Sequence, residues 1–177
     1  SSSPEFDGAA PASLPPDATL RVICNAGNAS RRVAEALSGH TWTTAGVRRL
    51  KEMRPDAHFL VTTGTVTSAR LMKERLPEGA IHQFIPVDHP AFVDRFIEHW
   101  RPEAAIFVES EFWPNLILAA RRRARLLALV NGRVSPNSFD GWRKKPATIS
   151  YLLQQFDLMI AQDRQNAERL STLSKRD

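Results

Sequence analysis

The sequence predicts an α/β domain, a parallel sheet with helices on both faces. Three observations carry that expectation. From about residue 20 onward, short strand candidates alternate with helical stretches. Several of the strands, such as Ala104-Ala105-Ile106-Phe107-Val108, are apolar throughout. A strand of that kind is buried on both faces, as in parallel sheets covered by crossover helices. The stretches between them place apolar residues at helical spacing.

Residues 1–19 are rich in Ser, Pro, Ala and Asp and read as a disordered tail, leaving 20–177 as one domain. Leu20-Arg21-Val22-Ile23-Cys24 is the first strand. A helical stretch follows from about Ser30 to Leu37, then a loop over Gly39 to Thr44. A helix runs from Ala45 to Met53 and stops before Pro55. His58 to Thr63 is a strand ended by Gly64, and Val66 to Leu76 an amphipathic helix closed by Pro77 and Gly79. Ile81 to Ile85 is a strand. Pro90 to Trp100 is a helix with Phe92, Val93, Phe96, Ile97 and Trp100 on one face. After the strand 104–108, Pro114 opens a helix to Arg123, since proline's missing N–H costs nothing in a first turn. Leu126 to Val130 is a buried strand, Pro146 to Phe156 a helix, Asp157 to Ala161 a strand and Asp163 to Leu173 a final helix.

Composition narrows the function. The chain of 177 residues is 42% hydrophobic and 24% charged, a globular balance for one domain with a real core. Its formal charge of +5 suits phosphates, nucleic acid or an anionic lipid surface, or simply a solvated surface rich in Arg. Nucleic acid is set aside, because no recognition motif accompanies the charge. The single cysteine, Cys24, allows no internal disulfide. The five His residues (40, 58, 82, 89 and 99) have no metal-ligand spacing. No apolar run approaches the ~20 residues of a membrane span, and the first residues lack the pattern of a signal peptide.

Ligands of such sheets sit beyond the carboxyl ends of the strands. Three strand ends are chemically unusual. Thr62-Thr63-Gly64-Thr65-Val66-Thr67-Ser68 offers many hydroxyls at a helix N-terminus. It suits an anionic or sugar group, or ordinary capping by Thr65 or Thr67. It is no P-loop, lacking the second Gly followed by Lys. Glu109-Ser110-Glu111-Phe112-Trp113-Pro114-Asn115 places two carboxylates directly after a buried strand. They share a face if the strand continues and fan out if the helix starts early. A carboxylate there serves as a general base, balances a cationic transition state, or merely complements the helix dipole with Trp113 as a packing anchor. Asn131-Gly132-Arg133-Val134-Ser135, followed by Gly141-Trp142-Arg143-Lys144-Lys145, reads as a cationic loop beside an aromatic. Such a loop holds phosphate next to a sugar or lipid edge, or is a plain basic surface. Arg121, Arg122, Arg123 and Arg125 read as a solvated helix end.

Together these strand ends resemble a known family. Val61-Thr62-Thr63-Gly64-Thr65-Val66-Thr67-Ser68, Glu109-Ser110-Glu111-Phe112-Trp113-Pro114-Asn115, Leu129-Val130-Asn131-Gly132-Arg133 with Ser135, and Phe156-Asp157 with Ala161-Gln162 occur in the order found in the N-terminal domain of bacterial 3-deoxy-D-manno-octulosonic acid (Kdo) transferases. The resemblance spans about Phe59 to Gln162. It implies a Rossmann-like sheet forming the N-terminal half of a GT-B glycosyltransferase. It also implies transfer of Kdo from CMP-Kdo to the lipid A precursor (lipid IVA) in lipopolysaccharide biosynthesis. The setting would be peripheral, at the cytoplasmic face of the bacterial inner membrane. No metal and no cofactor besides the donor are implied. The partners are the acceptor lipid, the anionic membrane and a C-terminal domain that binds CMP-Kdo. That donor domain and the family's apolar N-terminal anchor have no counterpart in these residues, so the chain alone is expected to be inactive.

The family carries Ala-Ser-Val-Gly-Glu after its first strand, and its Glu is the general base. The nearest counterpart here is Ala29-Ser30, two extra residues Arg31-Arg32, then Val33-Ala34-Glu35. The resemblance therefore assigns Glu35 as base, with Ala34 in place of Gly, and Glu109 as a second active-site carboxylate. Thr65, Ser68, Glu111, Asn115, Arg133 and Lys144 become acceptor contacts. The altered first third keeps a second reading open: a non-catalytic module derived from such a domain, binding anionic lipid or protein.

Overall fold

The computed structural model describes residues 21–26 and 39–175. The expected tail, the stretch Ser30 to Leu37 and Glu35 lie outside the described residues. Six parallel strands form one sheet in the order β3-β2-β1-β4-β5-β6. They are β1 (Arg21–Ala26), β2 (His58–Thr63), β3 (Ile81–Phe84), β4 (Ala104–Val108), β5 (Leu126–Gly132) and β6 (Leu158–Ala161). The described helices are α1 (Gly39–Met53), α2 (Val66–Arg75), α3 (Pro90–Trp100), α4 (Pro114–Arg123), α5 (Pro136–Arg143), α6 (Pro146–Leu153) and α7 (Arg164–Ser174).

The sheet is covered on both faces, and β4, apolar at every position, lies between two cores. Side chains alternate across a strand. Accordingly Leu60, Ala105, Phe107, Leu127 and Leu129 enter one core with α3, α4, α6 and α7. Phe59, Val61 and Ala104 enter the other, with Val47 of α1 and Met72 of α2. The first core contains the fully buried Phe156, Ile117, Ile149 and Leu153. Truncating any one of these to alanine would cost about 2–5 kcal/mol.

Two expected loops are helical. Residues Gly39 to Thr44 form the start of α1 rather than a loop. Residues 136–143 form α5, whose first turn is set by Pro136 and capped by the Ser135 hydroxyl, which accepts from the Ser138 N–H. The expected cationic loop is thus the end of α5 and its joint to α6, and Trp142 packs against the larger core. In α3, Val93, Phe96, Ile97 and Trp100 are buried as expected. Phe92 is 49% exposed, with the Arg95 guanidinium over its ring.

Strand order reverses between β1 and β4: chain connections leave these two neighbours in opposite directions, opening a crevice at their carboxyl ends. The register pairs Asn25 with Phe107, so the chain leaves β1 beside the turn at Val108-Glu109.

Candidate functional site

The segment after β4 neither extends the strand nor begins the helix. Glu109 turns the chain, with φ at 65°, in the left-handed region that disfavours a residue with a side chain. Its N–H still donates to the Val130 carbonyl across the sheet, at 3.1 Å. The turn folds the side chain inward, and Glu109 is 6% exposed. A carboxylate so placed needs a partner. Arg133 supplies it, Nη2 donating to Oε2 at 2.9 Å.

Arg133 reaches that position because β5 is kinked just before it. Asn131 also adopts a left-handed conformation, at φ 54°, and the β5–β6 register shifts between Leu129 and Gly132. Asn tolerates that conformation better than most residues. Such a bulge re-aims the side chains after it. Gly132 lets α7 approach: a Cβ there would lie 3.0 Å from Leu129 and Leu170 side-chain atoms. The Asn131-Gly132-Arg133 motif is therefore a kink, a close contact and a cation delivered to the sheet edge.

The second acid goes elsewhere. Glu111 accepts from the indole N–H of Trp113, and Trp113 packs against the larger core. Trp113 offers α4 no side-chain cap. The cap comes from Asp88, on the loop before α3. Its carboxylate accepts from Leu116 N–H at 2.9 Å and Asn115 N–H at 3.3 Å. The Asn115 side-chain amide donates to the Asp88 carbonyl at 2.8 Å. Asp88 went unread in the sequence because 27 residues separate it from Asn115.

The hydroxyl-rich turn after β2 is an ordinary helix cap. Thr65 Oγ1 accepts from Ser68 N–H at 3.2 Å and donates to Ser68 Oγ at 2.7 Å. Thr62, Thr63 and Ser68 are buried, and Thr63 Oγ1 hydrogen-bonds His82 Nε2 at 2.9 Å. Burial pulls the His82 pKa below its ordinary value. Lys144 caps the far end of α5 from Ser135, about 12 Å of helix away. Of the expected site residues with described side chains, Arg133 alone is brought onto Glu109. The expected solvated end of α4 is partly engaged: Arg121 pairs with Asp157 at 2.7 Å and Arg122 with Asp94 at 2.5 Å.

Beside the ion pair opens a cleft of about 320 Å³, lined by Arg133, Ser110, Ser135, Ser138, Asn166 and Arg169 among others. The region from Ser110 to Arg169 thus gathers the ends of β4, β5 and β6 with the first turn of α5 and the first two turns of α7.

Residues 43–177 match the family described as 3-Deoxy-D-manno-octulosonic-acid transferase (kdotransferase). The chain belongs to this family. A 3-deoxy-D-manno-octulosonic acid transferase of Rickettsia felis is 36% identical over 127 residues, covering 72% of this chain and 27% of that protein. Its counterpart in Haemophilus influenzae is 32% identical over 127 residues, covering 72% of this chain and 30% of that protein. The chain therefore spans between a quarter and a third of the length of these relatives. Among solved structures, a UDP-N-acetylglucosamine 2-epimerase superposes with a TM-score of 0.54 at 14% identity, covering 89% of this chain and 45% of that one. That likeness bears on the fold, and it agrees with the α/β architecture expected from the sequence.

Proposed function

We propose that this chain is the acceptor-side half of a Kdo transferase, moving Kdo from CMP-Kdo onto the lipid A precursor. The observation that supports it most is the buried Glu109 carboxylate, held by Arg133 beside the reversal of strand order. A glycosyl transfer site needs acids at such an edge. The acceptor hydroxyl forms a bond to the anomeric carbon of Kdo, the bond from that carbon to the CMP phosphate oxygen breaks, and CMP leaves. A carboxylate takes the hydroxyl proton. We assign that proton to Glu35, on the segment following β1. Glu109 then orients the acceptor or faces the positive charge developing at the anomeric carbon. Arg133 fixes Glu109 and contacts the acceptor.

The scheme as proposed draws on no metal and on no cofactor besides the donor. A C-terminal domain would bind CMP-Kdo. Among the described residues no helix is long and apolar enough to cross a membrane. The formal charge of +5 suits peripheral attachment to an anionic cytoplasmic leaflet.

The test has two arms. The chain alone, given CMP-Kdo and lipid acceptor, should show no turnover; robust transfer would refute its being half an enzyme. A full-length transferase containing it should transfer Kdo. Failure of that protein to do so, while it still binds an anionic lipid, would favour the non-catalytic module.

A further inference from the structure

The cleft beside Glu109 holds a cation that the proposed chemistry does not use. Arg169 lies on α7, and its Nη1 donates to the Val134 carbonyl at 2.8 Å. It joins none of the ion pairs among the described residues. Arg133 gives one N–H to Glu109. A guanidinium has five N–H donors, so most of both forks remain for a ligand. Among the described residues no acidic side chain lines the cleft, although Glu109 pairs with Arg133 beside it. Asp163 is near enough to feel Arg169, but its carboxylate accepts from Asn166 N–H and Nδ2, both at 2.8 Å. That backbone hydrogen bond is the main reason its pKa lies below the ordinary value, with Arg169 a smaller contribution.

Hydroxyls complete the lining. Ser135 and Ser138 are exposed, share a 2.9 Å hydrogen bond and sit at the first turn of α5. Among the described lining residues, two guanidiniums and hydroxyl donors without a carboxylate form a recognition set for a tetrahedral oxyanion with several acceptor oxygens. A helix first turn facing the same space adds to the field.

We propose that the cleft between Arg133 and Arg169 is a phosphate-binding subsite, and that the phosphate is one carried by the sugar acceptor. The oxyanion site stands on the geometry alone. Its assignment to the acceptor rests on the proposed function, in which the donor's phosphate belongs to another domain.

The test is a binding titration of this chain at low salt, followed by NMR or calorimetry, with glucosamine 1-phosphate and with CMP as separate probes. Saturable binding of the sugar phosphate is expected. Arg169→Gln should weaken it about tenfold, the loss of one charge-assisted hydrogen-bonding partner. Because Arg169 also ties α7 to Val134, a second variant guards against misfolding. Ser138→Asp puts a negative charge in the cleft at a helix position where acids are favoured. It should keep or raise thermal stability while abolishing binding. CMP binding with the same sensitivities would keep the oxyanion site and move its phosphate to the donor. Binding of both probes unaffected by either substitution, or no binding of either probe, would overturn the subsite. Since no transfer is measured, this outcome is independent of whether the full-length protein moves Kdo.

Discussion

Thr65 and Glu109 both stand just after a buried parallel strand and just before a helix, yet their turns do different things. After β2, Thr65 turns back on its own helix, capping α2 and bonding Ser68, while Thr63 bonds His82 on the neighbouring β3. After β4, the polar group reaches across to the neighbouring strand, from Glu109 to Arg133. The backbone conformations separate them too. Thr65 is extended, an ordinary cap geometry, whereas Glu109 is left-handed. Such a conformation costs on the order of 1–3 kcal/mol and persists where the surroundings enforce it. What sets Glu109 apart is a buried carboxylate paired outside its own turn on a left-handed backbone.

Substitutions can break this comparison. The largest effect is expected for Glu109→Ala in a full-length transferase, with transfer falling about a hundredfold or more. An unchanged rate would remove Glu109 from the site. Next comes Asp88→Ala, which strips the cap from α4 and frees two backbone N–H groups. It should destabilise the fold by about 2 kcal/mol, seen as a melting point lowered by roughly 4–8 °C. A melting point unmoved by this change would mean that α4 does not depend on Asp88.

Thr65→Val should cost about 1 kcal/mol of stability, with transfer rates of the full-length protein changed by less than about twofold. A large loss of rate without loss of stability would turn the β2 cap into a second site. The smallest effect concerns His82. Its pKa is lower in the folded chain than in the unfolded one, so the unfolded state binds more protons as pH falls. Its contribution to stability is complete above about pH 6.5 and declines as pH drops toward the folded pKa. Denaturant midpoints at pH 7.5 and 5.5 should show this decline, and His82→Gln should flatten it. An equal decline in the variant would assign the effect to other groups.

Most of the fold was legible because its signals are local. Apolar runs give β2, β4 and β5, and Pro90 and Pro114 mark helix starts within the first turn. The failures have local causes as well. Residues 136–143 carry Pro, Asn, Ser and Gly, which read as loop, yet Ser135 capping and the packing of Trp142 and Phe139 on the core make a helix. Residues Gly39 to Thr44 hold a glycine and three threonines, poor helix formers, and still begin α1.

The site was legible in part for a related reason. Glu109 and Arg133 each announce themselves in sequence, but their pairing depends on β4 and β5 being neighbours. Arg169 carried no sequence signal; only the packing of α7 beside β5 brings it to the cleft. Asn115, expected as an acceptor contact, donates its side-chain amide to the Asp88 carbonyl. Sequence shows which polar residues stand at an edge. The sheet order shows which of them meet.

In the proposed function, the edge carrying Glu109 and Arg133 handles the acceptor. The most direct measurement is a pair of saturation curves for Arg133→Gln in the full-length transferase, one against lipid acceptor and one against CMP-Kdo. An acceptor KM raised about tenfold or more is expected, with the donor KM unchanged. A raised donor KM with unaltered acceptor saturation would contradict it.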